Sequence, residues 1–237
     1  TVGENIPIFL NISADELAEG GNTLEDTKEI VEYFKEYVDV FSVSAGLTCS
    51  IQYQYDAAYL PDGWKSFMAK ELKESTGKPC LTSGNIREPE VANRILADGE
   101  ADFIAIGRGL IADPEWVNKV QFGNSDDINR CISCNNGCTA TLGDEPIRCT
   151  INPSIVSGEY YKNRTLKKPC NVVVIGGGTA GLEAACTAAE VGCSTVLIEK
   201  TDKLGGLARR VGKMPNKRRL GFFPQYLEHR ASRLKNL

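Results

Sequence analysis

The chain has 237 residues, 42% of them apolar and 24% charged, with a formal net charge of −4. That length admits one large domain or two modest ones. The charge balance excludes a general pull toward nucleic acid or anionic membrane, and no apolar run reaches the roughly 18 residues of a spanning helix.

The first 122 residues repeat one theme of short apolar strand followed by amphipathic helix. Strands are expected at 6–12, 38–44, 78–84 and 101–107. Between them, Ile30, Val31, Phe34 and Val38, then Trp64, Phe67, Met68 and Leu72, then Val91, Ile95 and Leu96 fall at helical spacing. Glu88-Pro89-Glu90 suits a helix start. Strands separated by helices imply a parallel sheet, either half of an eight-stranded barrel or a small open doubly wound sheet. The loops after the strands carry Ser13-Ala14-Asp15, Ser44-Ala45-Gly46, Gly84-Asn85 and Gly107-Arg108. Glycines and one guanidinium at such loops fit a phosphate, although the same glycines serve equally well as turn residues.

Ile111 to Trp116 is expected to begin a short helix. A segment spanning 123–169 follows and holds Cys131, Cys134, Cys138 and Cys149, a C-x2-C-x3-C triplet plus one distant cysteine. Thiolates so close converge on a metal ion or an iron–sulfur cluster, and the tight triplet favours the cluster over zinc, whose knuckles come in separated pairs. Amides of Asn135, Asn136 and Gly137 are expected to face the sulfurs. Cys49, Cys80, Cys170, Cys186 and Cys193 read as small apolar residues in or beside buried elements, with Cys49 the possible exception. Nine cysteines without an export signal point to a reducing, cytoplasmic setting.

From 170 to 237 a nucleotide module begins. Val172 to Ile175 is a buried strand, and Gly176, Gly178 and Gly181 supply G-x-G-x-x-G: a tight turn, a close approach to pyrophosphate, and helix-on-strand packing. A second strand, 194–198, ends at Glu199, 18 residues after Gly181, where a carboxylate meets a ribose diol and disfavours a 2′-phosphate. Gly205-Gly206 forms a second glycine pair. Six basic residues between Arg209 and Arg219 read as a solvated loop, and His229 as a surface residue on a polar helix. The start at Thr1 and the brevity of this module predict a piece of a longer protein.

These motifs together make the chain resemble the iron–sulfur branch of the Old Yellow Enzyme family. The resemblance rests on Ser83-Gly84-Asn85-Ile86, Gly107-Arg108 with Ile111-Ala112-Asp113-Pro114, the four cysteines, Ile151-Asn152-Pro153, and Gly176 to Gly181 with Glu199. It implies an α/β chain: the C-terminal half of an FMN-binding TIM (β/α)8 barrel (1–122), a [4Fe-4S] segment and linker (123–169), and the start of a Rossmann-like FAD-binding domain (170–237). It implies FMN at Gly84, Asn85, Gly107 and Arg108, a cluster on the four cysteines, and FAD at Gly176, Gly178, Gly181, Glu199, Gly205 and Gly206. Electrons would run from NAD(P)H through FAD and the cluster to FMN, and on to an activated C=C bond of a small unsaturated substrate.

The family's dienoyl-CoA reductases carry a histidine in the loop after the second strand of this half. Here that loop reads AGLTCSIQYQY, so Tyr53, Tyr55 or Cys49 takes the place of that proton donor, or the acid comes from the half of the barrel outside this sequence. Tyrosine stays protonated at neutral pH, which suits the role. Two other readings stand beside this one: an amine dehydrogenase on the same frame, and a zinc-braced nucleotide-binding module without catalysis. No nucleic-acid or membrane partner is expected, and a homo-oligomer is left open.

Overall fold

The computed structural model of the chain describes residues 3, 5–139, 146–156, 166, 168 and 170–237. It divides into two compact units, Thr1–Gly107 and Arg108–Leu237.

In the first unit, strands β1 (Phe9–Ser13), β2 (Val40–Ser44), β3 (Cys80–Thr82) and β4 (Phe103–Ile104) form one sheet in consecutive order, every neighbouring pair parallel. Helix α1 (Leu24–Glu32) connects the first two strands. The short α2 (Ile51–Gln54) and α3 (Ser66–Thr76) lie between the second and third, and α4 (Pro89–Ala97) precedes the last. Each boundary has a local cause. Thr23 and Asp26 close a reciprocal capping box at the start of α1, Gly77 ends α3 at φ 67°, and Pro89 occupies the first turn of α4.

The strands are shorter than the apolar runs that announced them. Apolar runs of buried parallel strands extend beyond the ladder, so they do not mark its ends. The core of this unit centres on Val31, Phe41, Val43, Leu72 and Ile95, all essentially inaccessible. The expected helical faces are only partly buried, since Ile30, Phe67 and Leu96 are exposed. Burial pushes the Cys80 thiol up to about 12, with Asp102 adding to the effect.

The second unit opens with α5 (Arg108–Ala112) and α6 (Trp116–Gln121). The expected single helix from Ile111 is therefore two. Asp113 sits at the break, receives the Asn129 amide at 2.8 Å and pairs with Lys119 Nζ at 2.6 Å. Pro114 cannot supply an amide to continue the first helix.

Farther on, β5 (Asn171–Ile175) and β6 (Ser194–Ile198) pair in parallel around α7 (Thr179–Glu190), in the order expected. Val173, Ile175, Val196 and Ile198 share one face of this pair, and each is at least half exposed. The chain continues through α8 (Gly206–Val211) to α9 (Phe222–Ser232). Arg230 clamps α9 onto α7 through Glu183 at 2.9 Å and Glu190 at 2.6 Å.

Two expectations change here. The basic run is not simply a solvated loop, because Arg209 lies within α8 and pairs with Glu228. His229 is half-buried, with Nε2 2.7 Å from Asp127 Oδ1. Of the five remaining cysteines, Cys80, Cys186 and Cys193 are buried, whereas Cys49 and Cys170 are exposed. Cys170 Sγ lies 3.8 Å from Cys193 Sγ.

Candidate functional site

The four clustered cysteines line a single cavity of about 20 Å³ within the second unit. Their convergence is a backbone effect. Ser133 and Asn135 both take φ of 49°, so the chain curls twice between Cys131 and Cys138. Gly137 then packs against the returning strand. A side chain there would meet the Arg148 carbonyl oxygen at 2.6 Å, so only glycine fits. Cys149 is fixed by an antiparallel bridge to Asn152, whose Nδ2 donates to the Ile111 carbonyl at 2.9 Å. Asn129 ties the same segment down from beneath, donating from Nδ2 to the Ile151 carbonyl at 2.7 Å. Ala112, Ile132 and Ile151 form the apolar floor.

The sulfurs have polar neighbours of their own. The Ser133 amide reaches Cys131 Sγ at 3.4 Å, the Thr150 hydroxyl lies 3.3 Å from Cys134 Sγ, and the Ile151 and Asn152 amides serve Cys149. Asn135 accepts a hydrogen bond from the Arg108 guanidinium, and its carbonyl accepts from Thr139 Oγ1 at 2.6 Å. Burial raises the thiols of Cys138 and Cys149; at Cys138 the positive charge of Arg108 works in the opposite direction.

Among the described residues no histidine or carboxylate lines the cavity. Among the described residues no three ligating side chains close around a single ion. A donor set of four thiols on an apolar floor, with amide and hydroxyl donors directed at sulfur, fits an iron–sulfur group.

The glycine turn is built just as tightly. Gly176 takes φ of 102°, and its amide donates to the Ile198 carbonyl at 2.7 Å. A Cβ on Gly181 would stand 1.8 Å from the Gly176 carbonyl oxygen, so α7 can approach β5 only without a side chain there. A Cβ on Gly178 would meet nothing within 4 Å, so the turn is open where a pyrophosphate would approach. The second glycine pair closes onto the first. Gly205 N donates to the Gly177 carbonyl at 2.7 Å, and a Cβ on Gly206 would be 3.1 Å from Gly178 Cα. This cradle fits a dinucleotide.

Glu199 braces the turn itself. Its carboxylate accepts from the Gly177 amide at 2.7 Å, the Thr201 amide at 2.9 Å and the Thr201 hydroxyl at 3.0 Å. The Gly177 bond first, and then those from Thr201, hold this carboxyl below its usual 4.5. A depressed carboxyl stabilises the fold above its unfolded value, and that contribution disappears as pH falls through the lower folded value. Glu199→Gln is therefore expected to flatten the acid limb of a stability–pH profile, by less than one bound proton, below pH ~4.5. Urea midpoints measured across that range check this, and identical slopes for both proteins would refute it.

In the first unit, Gly84 takes φ of 110°, and a Cβ there would strike Lys65 Cε at 2.7 Å and Asp56 Oδ1 at 3.0 Å. The Asn85 side chain is buried and turned inward, donating from Nδ2 to the Ala57 and Leu60 carbonyls at 3.1 and 3.2 Å. It thereby shapes the loop after β2. Gly107 is open, with nothing within 4 Å of an added Cβ.

Tyr53 and Tyr55 are both half-buried on that same loop. The Tyr53 ring lies 5.7 Å from that of Trp64. Trp64 Nε1 donates to Asp56 Oδ1 at 2.8 Å, and Lys65 Nζ pairs with the same oxygen at 3.1 Å. Asp56 and Lys65 were not singled out from sequence. The one available signal was a pair of opposite charges at the two ends of the stretch 56–65.

Comparison with known proteins adds to this geometry. The profile of the NADH:flavin oxidoreductase / NADH oxidase family matches residues 1–127, and that of FAD dependent oxidoreductases matches 171–219. The chain is 43% identical over 238 residues to an NADH oxidase of Thermoanaerobacter brockii, covering 98% of this chain and 36% of that protein. It is 35% identical over 155 residues to a cinnamate reductase of Clostridium sporogenes, covering 65% and 22% respectively. Among solved structures, a 2-naphthoyl-CoA reductase bound to 2-naphthoyl-CoA superposes with a TM-score of 0.91 at 28% identity, covering 98% of this chain and 36% of that one. The chain thus spans about a third or less of the length of these proteins. The four-stranded parallel sheet is the C-terminal part of a TIM barrel, and the β5–α7–β6 unit opens a Rossmann-like nucleotide-binding fold.

Proposed function

Because the chain belongs to the NADH:flavin oxidoreductase / NADH oxidase family, we propose that it carries electrons from NAD(P)H to an activated carbon–carbon double bond of the enoate or enoyl-CoA type. The chain is part of a flavin-dependent oxidoreductase. One observation carries the finer reading: the four-thiol cavity and the double glycine turn belong to the same compact unit, Arg108–Leu237. The proposed order of carriers is NAD(P)H, FAD, [4Fe-4S], FMN and substrate. When bound, the flavins supply two-electron chemistry and the cluster supplies one-electron chemistry between them.

The chain's own residues have separable tasks in this scheme. Gly176, Gly178 and Gly181 bring backbone amides to the FAD pyrophosphate, Gly205 and Gly206 let the second turn lie against the first, and Glu199 orients the ribose edge. Cys131, Cys134, Cys138 and Cys149 ligate the cluster. The backbone of Gly84, Asn85 and Gly107 forms the seat for the FMN phosphate end, with the Asn85 side chain bracing the loop from within. Tyr53, held by Trp64, and Tyr55 are the candidate donors of the proton that completes alkene reduction. A hydroxyl suits this step because it keeps its proton until the α-carbon becomes basic.

The full-length protein, purified without oxygen, tests the reading. The expected result is FMN, FAD, iron and acid-labile sulfide in each chain, with NADH- or NADPH-dependent saturation of cinnamate. A protein holding one zinc and no flavin, or one that oxidises a tertiary amine and leaves the enoate untouched, overturns it.

A further inference from the structure

We infer that Arg108 sets the reduction potential of the group held by the four cysteines, acting through its positive charge. This rests on the iron–sulfur reading above.

The inference starts from where the side chain goes. Arg108 is the first residue of α5, directly after Gly107, and the sequence assigned it to a phosphate. Its guanidinium donates to Asn135 Oδ1, 27 residues away, and lines the cavity shared by all four thiols. Asn135 lies in the loop between Cys134 and Cys138 and is itself held on two sides. Its backbone occupies the left-handed region, and its carbonyl accepts from Thr139 Oγ1 at 2.6 Å. The guanidinium is therefore anchored to the ligand loop.

The cavity's charge balance gives the direction of the effect. Among the described residues its lining contains two cationic side chains, Arg108 and Arg148, and no carboxylate. Four thiolates around an iron–sulfur group make an anionic centre, and each added electron makes it one unit more negative. A fixed positive charge beside such a centre favours the reduced form more than the oxidised one, so it raises the potential. Partial burial strengthens the interaction relative to water, enough for a tenfold effect on an equilibrium. A backbone amide at Gly107 or Arg108 can still meet a phosphate, so the two tasks do not compete.

The test is an EPR-monitored redox titration of the iron–sulfur signal in the full-length protein, comparing wild type with Arg108→Gln, Arg108→Lys and Asn135→Ala. Removing the charge in Arg108→Gln is expected to shift the one-electron equilibrium about tenfold toward the oxidised form, ~59 mV. Arg108→Lys, which keeps the charge, is expected to recover most of that shift. Asn135→Ala, which unhooks the guanidinium, is expected to move the potential the same way by less.

Potentials equal to wild type in all three variants overturn the inference and leave the cluster reading standing. Equal shifts for Gln and Lys also overturn it, because the charge would then not be the cause. If the Gln variant fails to hold its cluster, the Lys and Asn135→Ala proteins decide: a wild-type potential in the latter overturns the inference. Wild-type protein without iron or sulfide removes the cluster reading and this inference together.

Discussion

Cys138→Ser is expected to strip iron from the full-length protein and to cut NADH-driven alkene reduction by more than about 100-fold. Changes in the outer shell of a metal site already cost about 10–100-fold. Cys138 is one of the four thiols on the cavity, so its loss removes a ligand rather than a supporting contact. Reduction of FAD by NADH should survive, because the glycine turn shares no residue with the cavity lining. Iron and sulfide analysis together with stopped-flow absorbance separate the two effects. Wild-type iron content in the variant would refute the ligand assignment. Full turnover with iron absent would refute the electron route.

Gly181→Ala and Gly178→Ala form the second informative pair, because they are equally small changes with opposite consequences. At Gly181 the new methyl would lie 1.8 Å from the Gly176 carbonyl oxygen, and both partners are backbone. Neither can rotate away, so α7 must move off β5. The expected cost is about 3 kcal/mol, the upper part of the usual range for forced overpacking. At Gly178 the methyl meets nothing within 4 Å, and the backbone, with φ of −72°, accepts any residue. Its stability cost should be about 1 kcal/mol or less, the loss of a good helix cap. Its FAD retention should nonetheless fall, because the methyl projects into the open side of the turn. Urea unfolding and flavin content after gel filtration distinguish them. Equal destabilisation by both, or unchanged FAD in Gly178→Ala, would contradict this account.

The parts legible in the sequence were those encoded over short distances. Val172 to Ile175, the three glycines and Ser194 to Ile198 specify strand, turn, helix and strand within one local stretch, and the structure follows them within a residue. The cysteine triplet announced its convergence through spacing alone. The barrel strands were located but drawn too long: in 78–84 only Cys80–Thr82 pairs, with Lys78 and Pro79 before it and Ser83 and Gly84 after it lying in the flanking loops.

Contacts made by the fold were not legible. Nothing in the sequence links Arg108 to Asn135, or turns the Asn85 side-chain amide onto the Ala57 and Leu60 carbonyls. Asp56 gathers Trp64 and Lys65 only once the loop after β2 has closed. Likewise, Glu199 was read for its distance from the glycines as a partner for ribose. The structure adds that the same carboxylate ties down the amide of Gly177.

The β5–β6 pair has a practical consequence. Val173, Ile175, Val196 and Ile198 present a continuous oily strip to water. Such strips drive chains to stick to one another at the concentrations used for preparation. Yield and turbidity of the 237-residue piece will therefore report on this ribbon before they report on any chemistry, and a mild detergent or a polar replacement at Ile175 is the first remedy to try.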